Sequence, residues 1–204
     1  LWQQMHNRLQ WEAKPVKDIV SSARHRHETD LSKLWIQTRF PLRESTGLSR
    51  TLSNHENGIN HCVFTPDGSK VASAGADGTV KIWNANNGRL LQTIRAHQSD
   101  TLCCAFNHDG KKLISSSKDQ SIKQWDVETG KELMTFNGHR AQVRSCAFNF
   151  NGSLIVSGDD NGKIKLWNAD KGHELNEFIG HMKKINKVLF SPDSKQIASI
   201  SDDG

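Results

Sequence analysis

Several patterns that would assign this chain to a common functional class are missing from it. No apolar run approaches the length needed to cross a bilayer, so we expect no membrane partner. The opening residues LWQQMHNRLQW lack both the charged-then-apolar pattern of a signal peptide and an initiator methionine, so we expect the chain to begin inside a longer protein. No G-x-x-x-x-G-K-[ST] loop is present, so an ADP or ATP site is expected only in an upstream domain outside this chain.

Cysteines are few, and their spacing argues against disulfides and against zinc. Four are present, and Cys62, Cys104 and Cys146 are 42 residues apart. Equal spacing indicates equivalent positions in successive repeats, and thiols in separate repeats rarely come within the roughly 7 Å Cα separation that a disulfide requires. The sequence contains no CxxC pair, the pattern that would suggest a zinc site. We therefore expect buried, reduced thiols in a cytoplasmic protein.

The charge is close to balanced over most of the chain. The net charge is +5, and residues 1–50, with nine Lys/Arg against five Asp/Glu, contribute +4 of it. Residues 51–204 hold eighteen Lys/Arg against seventeen Asp/Glu, a balance of +1. Proteins that bind nucleic acid concentrate basic charge on one face, so this composition disfavours nucleic acid as a direct partner of the second region.

A 42-residue repeat occupies residues 51–204, which hold about 3.7 copies of it. Six columns of identical or closely related residues recur at this spacing without insertions, which chance does not explain. The fourth copy stops before the position of its tryptophan. The columns are His55, His97, His139 and His181; Trp83, Trp125 and Trp167; Phe64, Phe106, Phe148 and Phe190; Gly88, Gly130 and Gly172; Asp77, Asp119, Asn161 and Asp203; and Ser73, Ser115, Ser157 and Ser199.

Each copy has the pattern of four short strands separated by turn residues. In the first copy, apolar and β-branched runs alternate with Asp-Gly and Asn-Gly pairs, which favour tight turns. The predicted strands are residues 59–65, 71–75, 79–84 and 90–94. Four strands in about 42 residues, with a tryptophan in the third, resemble the blades of the WD-repeat family. This resemblance implies an all-β propeller, of which residues 51–204 form part.

The WD-repeat resemblance also implies a hydrogen-bonded network inside each blade. In that family a histidine, a serine or threonine, an aspartate in the hairpin turn and the tryptophan are linked together. In the third copy an asparagine stands at the aspartate position and keeps an acceptor without the charge. The implied network residues are structural rather than functional: His55, Ser73, Asp77 and Trp83; His97, Ser115, Asp119 and Trp125; His139, Ser157, Asn161 and Trp167.

The same resemblance implies that partner proteins bind at one rim of the propeller. The rim residues lie at the start of each first strand and just before each turn Asp or Asn. Leu102 and Arg144 stand out, because apolar and arginine anchors dominate interface energies. For any single residue we favour the structural alternative, packing or solvation, and for the rim as a whole we favour binding. The rim comprises Asn60, Leu102, Arg144, Asn186, Ala76, Lys118, Asp160 and Asp202.

The first 50 residues do not follow the repeat. Apolar residues at helical spacing, interrupted by Pro15 and Pro41, predict short helices. We interpret residues 1–40 as a short α-helical arm that ends an upstream helical domain, residues 41–50 as a linker, and residues 51–204 as partial propeller blades.

Three stretches resemble a particular group of WD-repeat proteins. Residues 34–55, 72–83 and 94–106 are similar to the link and opening blades of the apoptotic protease-activating factor family. The resemblance implies the sensor region of a cytoplasmic, apoptosome-type nucleotide-binding switch that responds to cytochrome c and promotes caspase activation. The expected partners are then cytochrome c and an upstream nucleotide-binding domain.

Two alternatives remain beside the apoptotic hypothesis. One is a generic WD-repeat scaffold in signalling or complex assembly, and the other is a WD protein of an RNA-associated complex, for which the basic arm is the motivation. An enzyme is not expected. Each repeated histidine has a structural role, and no nucleophile–base pair stands apart from the repeat, so we predict no catalytic, cofactor-binding or metal-binding residues in this chain.

Overall fold

The computed structural model of this protein describes residues 51–204. The predicted helical arm, residues 1–40, and the linker, residues 41–50, lie outside the described residues. Within residues 51–204 every regular element is a β-strand, and no helix there has the length and hydropathy needed to cross a membrane. The described part is therefore all-β.

Fourteen strands occur in residues 51–204, and they form four antiparallel sheets in chain order. We call the sheets blade 1 (β1–β4), blade 2 (β5–β8), blade 3 (β9–β12) and blade 4 (β13–β14). The strands are β1 Ile59–Phe64, β2 Lys70–Gly75, β3 Thr79–Asn84, β4 Leu90–Arg95, β5 Thr101–Phe106, β6 Lys112–Ser117, β7 Ile122–Asp126, β8 Glu132–Phe136, β9 Val143–Phe148, β10 Leu154–Asp159, β11 Lys163–Asn168, β12 Glu174–Ile179, β13 Ile185–Phe190 and β14 Ile197–Ser201.

Tight turns join consecutive strands of each blade. Gly78 and Gly162 follow the turn residue between the second and third strands, and both adopt a positive φ, 75° and 77°, that glycine tolerates without strain. In blade 2 the same place is taken by Gln120, which adopts φ 72°. The hairpins predicted from the Asp-Gly pairs are therefore present, and the blade 1 strands match the predicted bounds to within one residue.

The first strand of each blade packs beside the first strand of the next blade. These strands lie on the inner side of the arrangement, and the fourth strands of blades 1, 2 and 3 lie at the opposite edge of their sheets. Across the inner side, Lys187 Nζ of β13 is 3.4 Å from His61 Nε2 of β1. The blades thus surround a common axis, as in a propeller.

The hydrophobic core lies between successive blades. Ala72, Val80 and Ile82 of blade 1 pack with Leu113 and Trp125 of blade 2. Equivalent clusters join blade 2 to blade 3 and blade 3 to blade 4. Because each blade buries one face against its neighbour, the stability of the array depends on these repeated interfaces.

The four cysteines are free thiols, and three of them are buried. Cys62 differs from the expectation, since it is exposed. It lies on β1, and no preceding blade covers this strand within residues 51–204. The equivalent Cys104 and Cys146 each lie between two blades and have 0% and 2% of their surface exposed.

Gly158 of β10 tests how tightly blades 3 and 4 pack. A Cβ at this position would lie 2.4 Å from Ile185 Cγ2 and 3.1 Å from Val188 Cγ1, and both side chains are fully buried. We expect Gly158→Ala to lower the free energy of unfolding by about 1–3 kcal/mol, measured by urea denaturation, because the core must be overpacked. Gly180→Ala is the matched control, since no atom lies within 4 Å of its Cβ position. Equal stability of the two variants would contradict the proposed packing.

Candidate interaction surface

A buried serine organises the polar network inside blade 1. Ser73 Oγ accepts a hydrogen bond from Trp83 Nε1 at 2.9 Å and lies 2.7 Å from His55 Nε2. On the other side of the ring, His55 Nδ1 is 2.9 Å from Asp77 Oδ2. An ionised carboxylate can only accept, so Nδ1 carries a proton, and in this tautomer Nε2 accepts from the Ser73 hydroxyl.

Blades 2, 3 and 4 contain the same serine–histidine link. Trp125 Nε1 and Trp167 Nε1 donate to Ser115 Oγ and Ser157 Oγ at 2.9 and 2.8 Å. The histidine Nε2 atoms lie 2.7 to 2.8 Å from the serines in the pairs His97–Ser115, His139–Ser157 and His181–Ser199. The carboxylate partners of His97 and His181 are Asp119 and Asp203, at 2.9 and 2.8 Å.

Blade 3 departs from the implied network, in which Asn161 was the acceptor. The acceptor is instead Asp159 Oδ2, 2.8 Å from His139 Nδ1, while Asn161 is exposed. Asp159 ends β10 two residues earlier, at the position of Gly75 in blade 1. Its second oxygen accepts from the backbone N–H groups of Asn161 and Lys163, both at 2.9 Å. The sequence signal is the doubled aspartate in DDNG, which places a carboxylate within reach of the histidine from the strand itself.

The surroundings of the network keep its carboxylates ionised, and burial favours the neutral form of one of its histidines. Burial works to raise the pKa of Asp77, but hydrogen bonds from Thr79 and His55 outweigh it and lower the pKa to about 2. Burial lowers the pKa of the His97 imidazole, against the attraction of Asp119. Asp119 and Asp159 also have lowered pKa values, since their hydrogen bonds outweigh the effect of burial. These groups are linked within the blade and hold the turn to the strands.

The structure brings the two predicted rim columns together at one end of the blades. The backbone N–H groups of Ala76, Lys118, Asp160 and Asp202 each donate to a carbonyl just before the adjacent first strand, at 2.8 to 3.3 Å. In this way the residue before each turn lies beside the start of the first strand. The rim residues thus form one continuous edge that runs from blade to blade.

The charged and amide side chains of the rim are hydrogen-bonded to other residues of the blades. Arg144 Nε and Nη2 both donate to the carboxylate of Asp160, the latter at 3.3 Å. Asn186 Nδ2 donates to Asp202 Oδ1 at 2.5 Å. Asn60 Nδ2 reaches across to the Thr101 carbonyl of blade 2 at 2.9 Å.

Two charged residues of this edge were not predicted. Asp100 Oδ2 lies 2.7 Å from Lys118 Nζ, and Lys184 Nζ lies 3.1 Å from Asp202 Oδ2. Both precede a first strand by one residue, so the loop before the strand, and not only its first positions, belongs to the rim. Leu102, half-buried beside this charged edge, supplies an apolar contact.

Within residues 51–204, no group of three or more His, Cys, Asp or Glu side chains has the geometry to hold a metal ion.

Exchange of the blade 3 acceptor tests the departure from the implied network. Asp159→Ala removes a 1% exposed carboxylate that accepts from His139 and from two backbone N–H groups. We expect the free energy of unfolding to fall by about 3 kcal/mol, because buried donors lose their partner. Asn161→Ala, two residues away on the surface, is expected to change it by less than about 0.5 kcal/mol. Urea denaturation of both variants measures these changes. A larger loss of unfolding free energy in Asn161→Ala than in Asp159→Ala would indicate that Asn161 is the acceptor for His139.

The lowered pKa of Asp77 predicts an acid-sensitive blade 1. A carboxylate with a folded-state pKa of about 2 and an ordinary value of 3.8 stabilises the fold above pH 4. This stability is lost as the pH falls from about 4 towards 2. We expect thermal melts over this range to show a smaller pH dependence in Asp77→Asn than in the wild-type chain, while Glu128→Gln, an exposed carboxylate outside the network, keeps the wild-type slope. Unchanged slopes in Asp77→Asn would argue against the ionised acceptor.

Comparison with known proteins shows short matches to relatives with longer chains. Ribosome assembly protein 4 of Chaetomium thermophilum is 46% identical over 41 residues, which is 20% of this chain and 8% of that protein. Polyadenylation factor subunit 2 of Candida albicans is 45% identical over 38 residues, 19% of this chain and 7% of that protein. None of these names refers to apoptosis, so the finer resemblance to the apoptotic protease-activating factor family gains no support.

The fold and the repeat are shared with a solved structure and with a family model. The crystal structure of the RRP9 WD40 repeats superposes with a TM-score of 0.66 and 30% identity, covering 68% of this chain and 44% of that one. The model of the WD domain, G-beta repeat, matches residues 47–84, 88–126, 130–168 and 172–204. Since these segments include every described strand, the chain belongs to the WD domain, G-beta repeat family.

Proposed function

We propose that this chain is the protein-binding part of a WD-repeat scaffold in an RNA-associated assembly and that the rim is its contact surface. The observation that carries the proposal is the match of the repeats to Ribosome assembly protein 4 and to a polyadenylation factor subunit, two proteins named for RNA-related processes. This favours the RNA-associated alternative over the apoptotic switch. WD-repeat chains generally act as non-enzymatic scaffolds.

The charges of the rim favour a protein rather than RNA as the direct partner. Both basic residues of the predicted rim are paired with an aspartate, in Lys118–Asp100 and Arg144–Asp160, and Asp202 is paired with Lys184. Binding to a phosphate backbone instead relies on basic groups that neutralise phosphates and so release the counterions condensed on the nucleic acid. A protein interface instead combines paired charges at its border with an apolar centre, which Leu102 supplies. The scaffold is therefore proposed to join the assembly through its protein components.

A second candidate is the apoptosome-type switch, for which the resemblance of residues 72–83 and 94–106 noted in the sequence is the sole motivation. It requires a phosphate-binding loop and a death-fold module upstream in the parent protein. Finding an unrelated domain upstream in the parent protein would rule out this second candidate. A cytoplasmic location is proposed for both candidates.

Rim substitutions in the intact protein test the proposal. We expect Leu102→Asp and Arg144→Glu each to reduce the recovery of partner proteins in affinity capture by about tenfold, because anchor residues dominate interface energies. Capture is performed with and without ribonuclease, and partners bound through proteins should remain after RNA digestion. Lys171→Glu, an exposed charge change in the turn between β11 and β12, serves as control.

Melting temperatures check that the rim variants remain folded. Recovery of ribosome-assembly or RNA-processing proteins that depends on Leu102 and resists ribonuclease supports the proposal. Capture that ribonuclease abolishes, or that both rim variants leave intact, would overturn the proposed binding mode.

A further inference from the structure

One position of the third strand is a lysine in blades 1, 2 and 3. Lys81, Lys123 and Lys165 each lie two residues before the blade tryptophan and face the fourth strand. The ammonium groups of Lys123 and Lys165 lie 5.7 and 6.0 Å from the centres of the Trp125 and Trp167 rings. The three blades thus offer an internal comparison of one lysine in three surroundings.

In blades 2 and 3 the lysine is neutralised by carboxylates of its own blade. Lys123 Nζ lies 2.8 Å from Glu132. Lys165 Nζ lies 2.7 Å from both Glu174 and Glu177. Burial works to lower the pKa of Lys165, yet the hydrogen bonds to the two glutamates outweigh it and raise the pKa. The place occupied by this lysine therefore fits a carboxylate partner.

Blade 1 lacks these carboxylates. The positions of Glu132 and Glu174 are taken by Leu90, and the position of Glu177 by Thr93. Lys81 is only 8% exposed, and within residues 51–204 its Nζ has one hydrogen bond, to Thr93 Oγ1 at 3.4 Å, and no ion pair. A buried ammonium group without a counter-ion is costly, so an incoming carboxylate would gain its full interaction there.

A cavity of about 350 Å³ opens onto Lys81, with Thr93 and Arg95 on its wall. Arg95 is exposed and forms no ion pair with the described residues. Two acidic residues also line the cavity. Asp77 is already engaged with His55 and Thr79, and Glu56 makes no ion pair with Lys81. Lys81, Arg95 and Glu56 are thus the charged groups of this cavity that form no ion pair within residues 51–204, two of them basic and one acidic.

We propose that this cavity, which we call the blade 1 acidic site, binds an aspartate or glutamate side chain of a partner polypeptide. The partner's carboxylate accepts a hydrogen bond from Lys81 Nζ, as Glu132 does from Lys123, and a second acidic residue pairs with Arg95. The site lies on β3 and β4 and reaches the turn and the loop of blade 1 at Asp77 and Glu56, next to the rim residue Ala76. It adds a contact to the proposed scaffold role without depending on it.

A pair of short peptides tests the acidic site on the full chain. The probe is a fluorescein-labelled Gly-Glu-Gly-Glu-Gly peptide, its control is the same peptide with Gln for Glu, and binding is followed by fluorescence anisotropy at low salt. We expect the Glu peptide to bind and the Gln peptide not to. Lys81→Met should weaken binding by about tenfold or more, as expected for a hydrogen bond between charged groups. Lys123→Met is the matched control, because that lysine already has Glu132, and it should leave binding unchanged.

Leu90→Glu provides an independent test that keeps the lysine. It supplies from within blade 1 the carboxylate that blade 2 has at Glu132, so we expect it to abolish peptide binding and to raise the melting temperature. Three outcomes would each overturn the proposal. The first is that Leu90→Glu binds the Glu peptide as well as the wild-type chain does, and the second is that Lys81→Met and Lys123→Met lose binding equally. The third is that inorganic phosphate binds in a Lys81-dependent way while the Glu peptide does not bind. Because the rim is unchanged in these variants, failure here leaves the scaffold proposal to be judged by Leu102 and Arg144 alone.

Discussion

The serine hydroxyl in the middle of each blade is the constraint on which the rest of the structure depends. Ser157, for example, accepts from the Trp167 indole and is hydrogen-bonded to the His139 ring, which in turn donates to a carboxylate. One small group thereby ties the second strand, the third strand, the turn and the loop before the first strand. Any member left alone would be a buried polar group without a partner. The blade forms its network as a unit, and the rim is positioned by the same turns.

The aspartate that contacts the histidine differs in sequence position between blades, but each of the four described blades has one. In blades 1, 2 and 4 the acid follows the second strand by two residues, whereas in blade 3 Asp159 provides it from the strand end. The histidine contact is nearly the same length in all four. What is preserved is therefore the charge beside Nδ1 and not the sequence position of the acid.

The repeat made the strands and the turns predictable from sequence, because period and turn chemistry are local properties. Sequence reasoning also placed the rim columns at one end. It did not identify Asp159 as an acceptor, since column alignment pointed to Asn161. It did not assign Asp100 and Lys184 to the rim, since they lie in loops whose course depends on the neighbouring turn. Cys62 was expected to be buried by analogy with Cys104, but burial depends on a neighbouring blade, which a column of the repeat does not encode.

Differences between copies are where this chain can acquire specificity. Residues shared by every blade satisfy one another and leave little to offer a partner. Glu132 in blade 2 and Leu90 in blade 1 occupy the same position, yet one neutralises its lysine and the other leaves Lys81 buried beside an open cavity. Likewise Leu102 stands on the rim where blade 3 has Arg144 in an ion pair. A repeat scaffold can thus keep its stability in what its copies share and acquire partners through single departures such as Leu90 and Leu102.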